Sequence, residues 1–130
     1  MWPSDPQTAK ESFATTTPAG SVGKQLAAFL YSFHDDKAGV FWPLYVGRTV
    51  LGRAGSGETL DIEIADPTTS SRHAGFLCDP QGAVILEDEG STNGTFVNDQ
   101  PVGYRGKQEL RDGDRVRFGA YNAHIRMASR

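Results

Sequence analysis

Apolar residues in this chain come in short runs, separated by clusters of Gly, Pro, Asp, Asn and Ser, and no stretch carries a sustained helical period. The runs alternate in polarity or are rich in aromatic and β-branched residues, as half-buried strands are. They are LAAFLYSFH (26–34), VFWPLYV (40–46), TVLGR (49–53), LDIEIAD (60–66), RHAGFLCD (72–79), AVILEDE (83–89), TFVN (95–98), PVG (101–103), KQEL (107–110), RVRFG (115–119) and AYNAHIRMA (120–128). Pro43 makes the second an edge or bulged strand. Leu60, Ile62 and Ile64 share one side of the fourth. The fifth and sixth form a hairpin around PQG (80–82), and a turn is expected at Asp99–Gln100. About eleven short strands with Gly-rich turns predict an all-β chain folded as a β-sandwich. In such folds the loops at one end carry function.

Residues 1–24 differ. They are rich in Pro, Ser, Thr, Gly and Ala without an apolar period, so a flexible N-terminal tail is expected there and a single domain over 25–130. Composition adds limits. A net charge of −3 argues against a nucleic-acid partner, whose electrostatic footprint is basic. It leaves room for a small anion, which needs only a local positive pocket. The single cysteine, Cys78, allows no internal disulfide and fits a small apolar filler in a strand. No basic segment followed by an apolar one opens the chain, and the longest apolar run (26–33) is too short to span a bilayer. The expectation is a cytoplasmic protein without a membrane partner.

Three segments break the strand pattern with specific polar residues: LGR (51–53), TTSSRHA (68–74) and STNGT (91–95). If they meet at one end of a sandwich, the site holds Arg53, Ser70, Ser71, Arg72, Thr92 and Asn93. Guanidinium groups, hydroxyls and amides next to glycine match a phosphate: Arg supplies a charge-assisted fork, and the other donors take the remaining oxygens. Ser70, His73 and Asp66 are also the residue types of a nucleophilic triad. Ser and His three apart on one segment seldom reach triad geometry, however, and no Gly-x-Ser-x-Gly elbow is present. No catalytic residue is therefore assigned. The three histidines lack ligand spacing, so neither a metal nor a cofactor is expected. The acidic run at 87–89 reads as a solvated strand end.

Gly52-Arg53, then Ser70-Ser71-Arg72-His73, then Ser91-Thr92-Asn93-Gly94-Thr95 with Asn98 after it, follow in order inside an all-β chain. DIEIAD (61–66) lies between the first two, and LRDGDRVRFG (110–119) near the end. In these features the chain resembles the forkhead-associated (FHA) domains, phosphothreonine-binding β-sandwiches, over residues 26–128. The resemblance implies that Arg53 and Ser70 bind phosphate, Thr92 positions the phosphothreonine, and Asn93 hydrogen-bonds the peptide main chain. It gives Gly52, His73 and Gly94 supporting roles in the loops and has Asn98 pin the last loop from behind. Where the family often has Arg directly after the Ser, this chain has Ser71. Ser71 can still donate to phosphate, whereas Arg72, one place on, is expected to face away. Thr68 is neutral, so no acidic preference three residues after the phosphothreonine is predicted.

The implied function is a phosphothreonine-peptide binding module, an adaptor in Ser/Thr kinase signalling. Its partners would be a Thr-phosphorylated protein and a Ser/Thr protein kinase. The tail's own Thr15, Thr16 and Thr17 are candidate ligands if phosphorylated. The alternative is a structural scaffold that keeps the fold and contacts partners without phosphate.

Overall fold

The computed structural model describes residues 24–128. The tail reading, with Thr15, Thr16 and Thr17, lies outside these residues. Among the described residues there are eleven strands and no helix. In chain order they are β1 (Leu26–Ser32), β2 (Val40–Tyr45), β3 (Gly47–Arg53), β4 (Ile62–Ile64), β5 (Ala74–Cys78) and β6 (Val84–Asp88). Then follow β7 (Thr95–Val97), β8 (Gln100–Pro101), β9 (Lys107–Glu109), β10 (Arg115–Phe118) and β11 (Tyr121–Met127). One sheet has the order β2-β1-β11-β10-β7-β8 and the other β4-β3-β5-β6-β9. All neighbours are antiparallel except β3 and β4. No helix of the described residues is long and apolar enough to cross a membrane.

Alternation of side chains explains the sandwich. Ala28 and Leu30 of β1, Val116 and Phe118 of β10, and Ala123 and Ile125 of β11 point inward and are fully buried. From the other sheet they meet Leu51, Ala74, Phe76, Val84 and Leu86. Phe76 and Phe118 cross between the sheets edge to face, with ring centroids 6.2 Å apart, a geometry that suits the aromatic quadrupole. Pro43 sits on β2, an edge strand, where its missing N–H breaks no central ladder.

Two local readings shift. Leu60 is not part of β4, which begins at Ile62. The Asp61 carboxylate accepts the Val50 amide at 2.8 Å, and the Asp61 amide bonds the Val50 carbonyl. A side chain taking backbone donors in this way delays strand pairing. The turn after β7 is Asn98–Asp99 rather than Asp99–Gln100. Both residues have positive φ (51° and 70°), as a two-residue type I′ hairpin requires, and Gln100 already pairs with Val97.

The strand directions decide where the loops lie. The β3–β4, β4–β5, β6–β7, β8–β9 and β10–β11 connections all emerge at the end of the sandwich where β3 stops and β5 starts. The β7–β8 turn, with Asn98, lies at the opposite end.

Phe118 links the core to this loop end, since it packs on both Phe76 and His73. Phe118→Ala is expected to cost about 3–5 kcal/mol, the usual range for truncating a buried aromatic. Urea unfolding checks it; a loss below about 1 kcal/mol would mean that the two sheets do not share this core.

Candidate functional site

At the end of β3, Gly52 lets two backbones meet. A Cβ there would collide with the Ser71 carbonyl, so the segment 70–73 can lie directly against β3. Two bonds fasten it: the Arg53 amide donates to the Ser70 carbonyl at 3.0 Å, and the His73 amide to Leu51 at 2.9 Å. The Arg53 guanidinium then lies over this turn. It donates to the Thr69 carbonyl at 2.9 Å and to the Ser71 hydroxyl at 3.4 Å. A guanidinium has five N–H groups, so donors remain for a ligand.

His73 joins this turn to the β6–β7 loop. The ring is fully buried. Its Nδ1 accepts the Ser70 amide at 2.9 Å, and its Nε2–H donates to the Gly94 carbonyl at 2.9 Å. Those two bonds set the tautomer. Burial lowers the imidazole's pKa, outweighing the Gly94 bond and the nearby Asp88 charge, so the ring is held neutral. Two further bonds join the loops: the Thr92 amide donates to Ser70 Oγ at 3.0 Å, and Asn93 Nδ2 to the Thr68 carbonyl at 2.9 Å. Thr92 and Asn93 are exposed above these contacts, and Ser70, Ser71 and Arg53 are half-buried.

The β6–β7 loop has its own anchor, Asp88, which the acidic-run reading missed. Rather than a solvated strand end, Asp88 is buried. Oδ1 accepts the Ser91 and Thr95 hydroxyls, each at 2.6 Å. Oδ2 accepts the amides of Gly90 (3.0 Å), Ser91 (3.2 Å) and Arg105 (3.0 Å). Burial alone would raise this carboxyl's pKa; the Ser91 and Thr95 hydroxyls, with the Arg105 and Gly90 amides, hold it below its ordinary value. The Ser91 hydroxyl in turn accepts the Gly94 amide at 3.0 Å, and Gly94 takes a φ of +92° that suits glycine. The flanking glutamates face the other way: Glu87 and Glu89 pair with Arg48, and Arg72 lies 3.9 Å from Glu89. The strand's alternation explains the split, because Asp88 points inward and its neighbours outward. The missed signal was the hydroxyl spacing after the acid, Ser91 and Thr95.

Of the residues singled out by sequence, Gly52, Arg53, Ser70, Ser71, His73, Thr92, Asn93 and Gly94 come together at one end. Asn98 does not. It bonds the Asp114 carboxylate and the Arg115 amide, each at 2.9 Å, at the far end of β7. It therefore ties two turns there and does not pin the Ser91–Thr95 loop, because β7 carries the chain away before Asn98 is reached. The triad types also stay apart. His73 gives both nitrogens to backbone groups, while Asp66 accepts from Thr68 and lies 3.8 Å from His34. Among the described residues no group of three or more His, Cys, Asp or Glu side chains is placed to hold a metal.

The loop end of the sandwich gathers a guanidinium, hydroxyls and an amide side chain, a set of donors whose chemistry suits an anionic ligand. The family model for the FHA domain matches residues 49–119. The chain is 35% identical over 108 residues to the FHA domain-containing protein FhaA of Mycobacterium tuberculosis, covering 83% of this chain but 18% of that protein's length. It is 33% identical over 114 residues to the oxoglutarate dehydrogenase inhibitor of Corynebacterium glutamicum, covering 85% of this chain and 75% of that one. Among solved structures it is similar to the FhaA FHA domain complexed with an intracellular domain of another protein (TM-score 0.65, 33% identity, 76% of this chain and 99% of that chain). It is also similar to an FHA domain studied for phosphothreonine-dependent interactions (TM-score 0.66, 31% identity, 79% and 99%). The chain belongs to the FHA domain family. FHA domains are binding modules.

The two buried groups give stability a pH signature. The unfolded chain takes up a proton at His73 from pH 6.5 downward, and the folded chain resists it until a lower pH. Stability therefore falls as pH drops from 6.5 toward the folded pKa. Asp88 adds a second loss below about 3.8, where its carboxylate is protonated first in the unfolded chain. Urea midpoints measured from pH 8 to 3 should show both limbs, and His73→Gln should remove the upper one. A flat wild-type curve between pH 7 and 5 would contradict the neutral, bonded ring.

Proposed function

We propose that this chain binds a phosphothreonine-containing segment of a partner protein and acts as an adaptor in Ser/Thr kinase signalling. The observation that carries the reading is the convergence of Arg53, Ser70, Ser71, Thr92 and Asn93 on one surface, held from beneath by buried bonds. Arg53 meets the phosphate charge with the N–H groups left over from Thr69 and Ser71. The Ser70 hydroxyl accepts from Thr92 and so keeps its own proton to donate. Ser71 adds a second hydroxyl. Thr92 positions the phosphothreonine, and Asn93, steered by its bond to Thr68, takes the peptide main chain. A small apolar niche for the γ-methyl, as the family likeness implies, favours threonine over serine. A doubly charged phosphate with three acceptor oxygens suits this donor set.

The binding unit runs over residues 25–130. In support, β1, β2 and β11 lie outside the 49–119 match yet complete the six-stranded sheet. The chain is read as a binding module rather than an enzyme, in support of which its family is one of binding modules and the Ser70, His73 and Asp66 types stay apart. A cytoplasmic location fits a kinase-linked adaptor with one buried cysteine.

Isothermal titration with matched phosphothreonine, phosphoserine and unphosphorylated peptides tests the reading. Phosphothreonine should bind best, and Arg53→Ala should lose about 2–5 kcal/mol, as when one member of a buried charge pair is removed. Equal binding of all three peptides by the folded protein, or no effect of Arg53→Ala, would favour the phosphate-independent scaffold instead.

A further inference from the structure

The loop between β8 and β9 reaches the same end of the sandwich as the site, beside the β6–β7 loop. It is held by that loop's own anchor. The Arg105 amide donates to Asp88 Oδ2 at 3.0 Å, the Val102 amide bonds Thr95, and the Gly106 amide closes a turn onto Gly103. Arg105 adopts a φ of 58°, a left-handed conformation uncommon for a residue other than Gly, Asn or Asp.

This bonded turn presents two side chains outward. Tyr104 is 74% exposed. The guanidinium carbon of Arg105 lies 5.8 Å from its ring centroid, within cation–π range. Neither side chain has a hydrogen bond or ion pair among the described residues. Their tips lie over Gly90: a Cβ there would be 3.3 Å from both Tyr104 Oη and Arg105 Nη2. A hollow lined by Thr92, Asn93, Gly94, Pro101, Gly103 and Tyr104 runs from this turn to the residues proposed to grip the peptide. A guanidinium without an ion pair among the described residues, steered by an aromatic ring on a backbone bonded to the buried Asp88, therefore stands over Gly90 at the edge of a hollow that Tyr104 shares with Thr92 and Asn93.

We infer that Tyr104 and Arg105 form a second contact point that reads an acidic side chain flanking the phosphothreonine. The inference rests on the phosphopeptide reading above and deepens it. The Tyr104 ring orients the guanidinium, Gly90 leaves room for both tips, and Arg105 meets a carboxylate of the peptide in partly exposed surroundings. Such a pair adds selectivity more than affinity.

The test is fluorescence anisotropy with Ala-flanked phosphothreonine peptides that carry a single Asp at each position in turn within four residues of the phosphothreonine. The readout at each position is the ratio of affinities for the Asp and Ala peptides. In the wild type, one position should give a ratio of about two to five, as for exposed ion pairs, and the gain should shrink in high salt. Arg105→Gly, which keeps the left-handed backbone without strain, should bring that ratio to one. Arg105→Glu should invert it and favour Lys at the same position. A flat Asp scan in a wild type that binds the Ala-flanked phosphopeptide overturns this inference alone. A gain that survives both substitutions does the same. A wild type that binds no phosphothreonine peptide overturns the phosphopeptide reading and this one with it.

Discussion

Everything at the loop end hangs from one buried carboxylate. Asp88 ends β6 with its side chain inward, where an unpaired charge would be strongly unfavourable. Among the described residues no basic side chain pairs with it. Hydroxyls from Ser91 and Thr95 and amides from Gly90, Ser91 and Arg105 surround it instead. A carboxylate accepting several such bonds is stabilised in its charged form. Each bond also fixes a stretch of backbone, so two loops distant in sequence take one shape before any ligand arrives. Loss of any of these donors would leave part of a buried charge uncovered, which is why their spacing matters more than the propensity of any single turn residue.

His73 extends the arrangement sideways. Its ring spans from the Ser70 amide to the Gly94 carbonyl and rests on Phe118, so the Arg53-bearing side of the site is joined both to the Asp88-bearing side and to the core. Gly52 makes the junction possible by leaving room for the Ser71 carbonyl. The result is a division of labour by depth. Asp88 and His73 lie below and are satisfied by the protein, while Arg53, Ser70, Ser71, Thr92 and Asn93 lie above with donors to spare. Loops ordered in advance lessen the entropy lost on docking.

Much of this was legible in the sequence. The period-two runs found the strands, and the Gly-Arg, Ser-x-x-His and Ser-Thr-Asn-Gly-Thr segments found the residues that meet at one end of the sandwich. Each miss has its own physical origin. Asp88 sits between two glutamates that do face outward, and its strand phase and the hydroxyls at Ser91 and Thr95 distinguish it. Asn98 stands close to the loop in sequence, but three strand residues carry it roughly 10 Å away. Leu60 fits the apolar alternation, yet Asp61 beside it takes the Val50 amide and ends the pairing. In this last case a side-chain-to-backbone bond, invisible to a hydrophobic pattern, decided the outcome.

Native-state hydrogen exchange of the free protein tests most directly whether the site is built before the ligand comes. The amides of Ser70, Ser91, Gly94 and Arg105 donate to His73, Asp88, Ser91 and Asp88 respectively. They should exchange far more slowly than unstructured loop amides and approach the protection of the strands they join. Exchange at the rates of an unfolded chain would contradict the account: the loops would then organise only on binding, and Asp88 and His73 would not be the constraint on which the site depends.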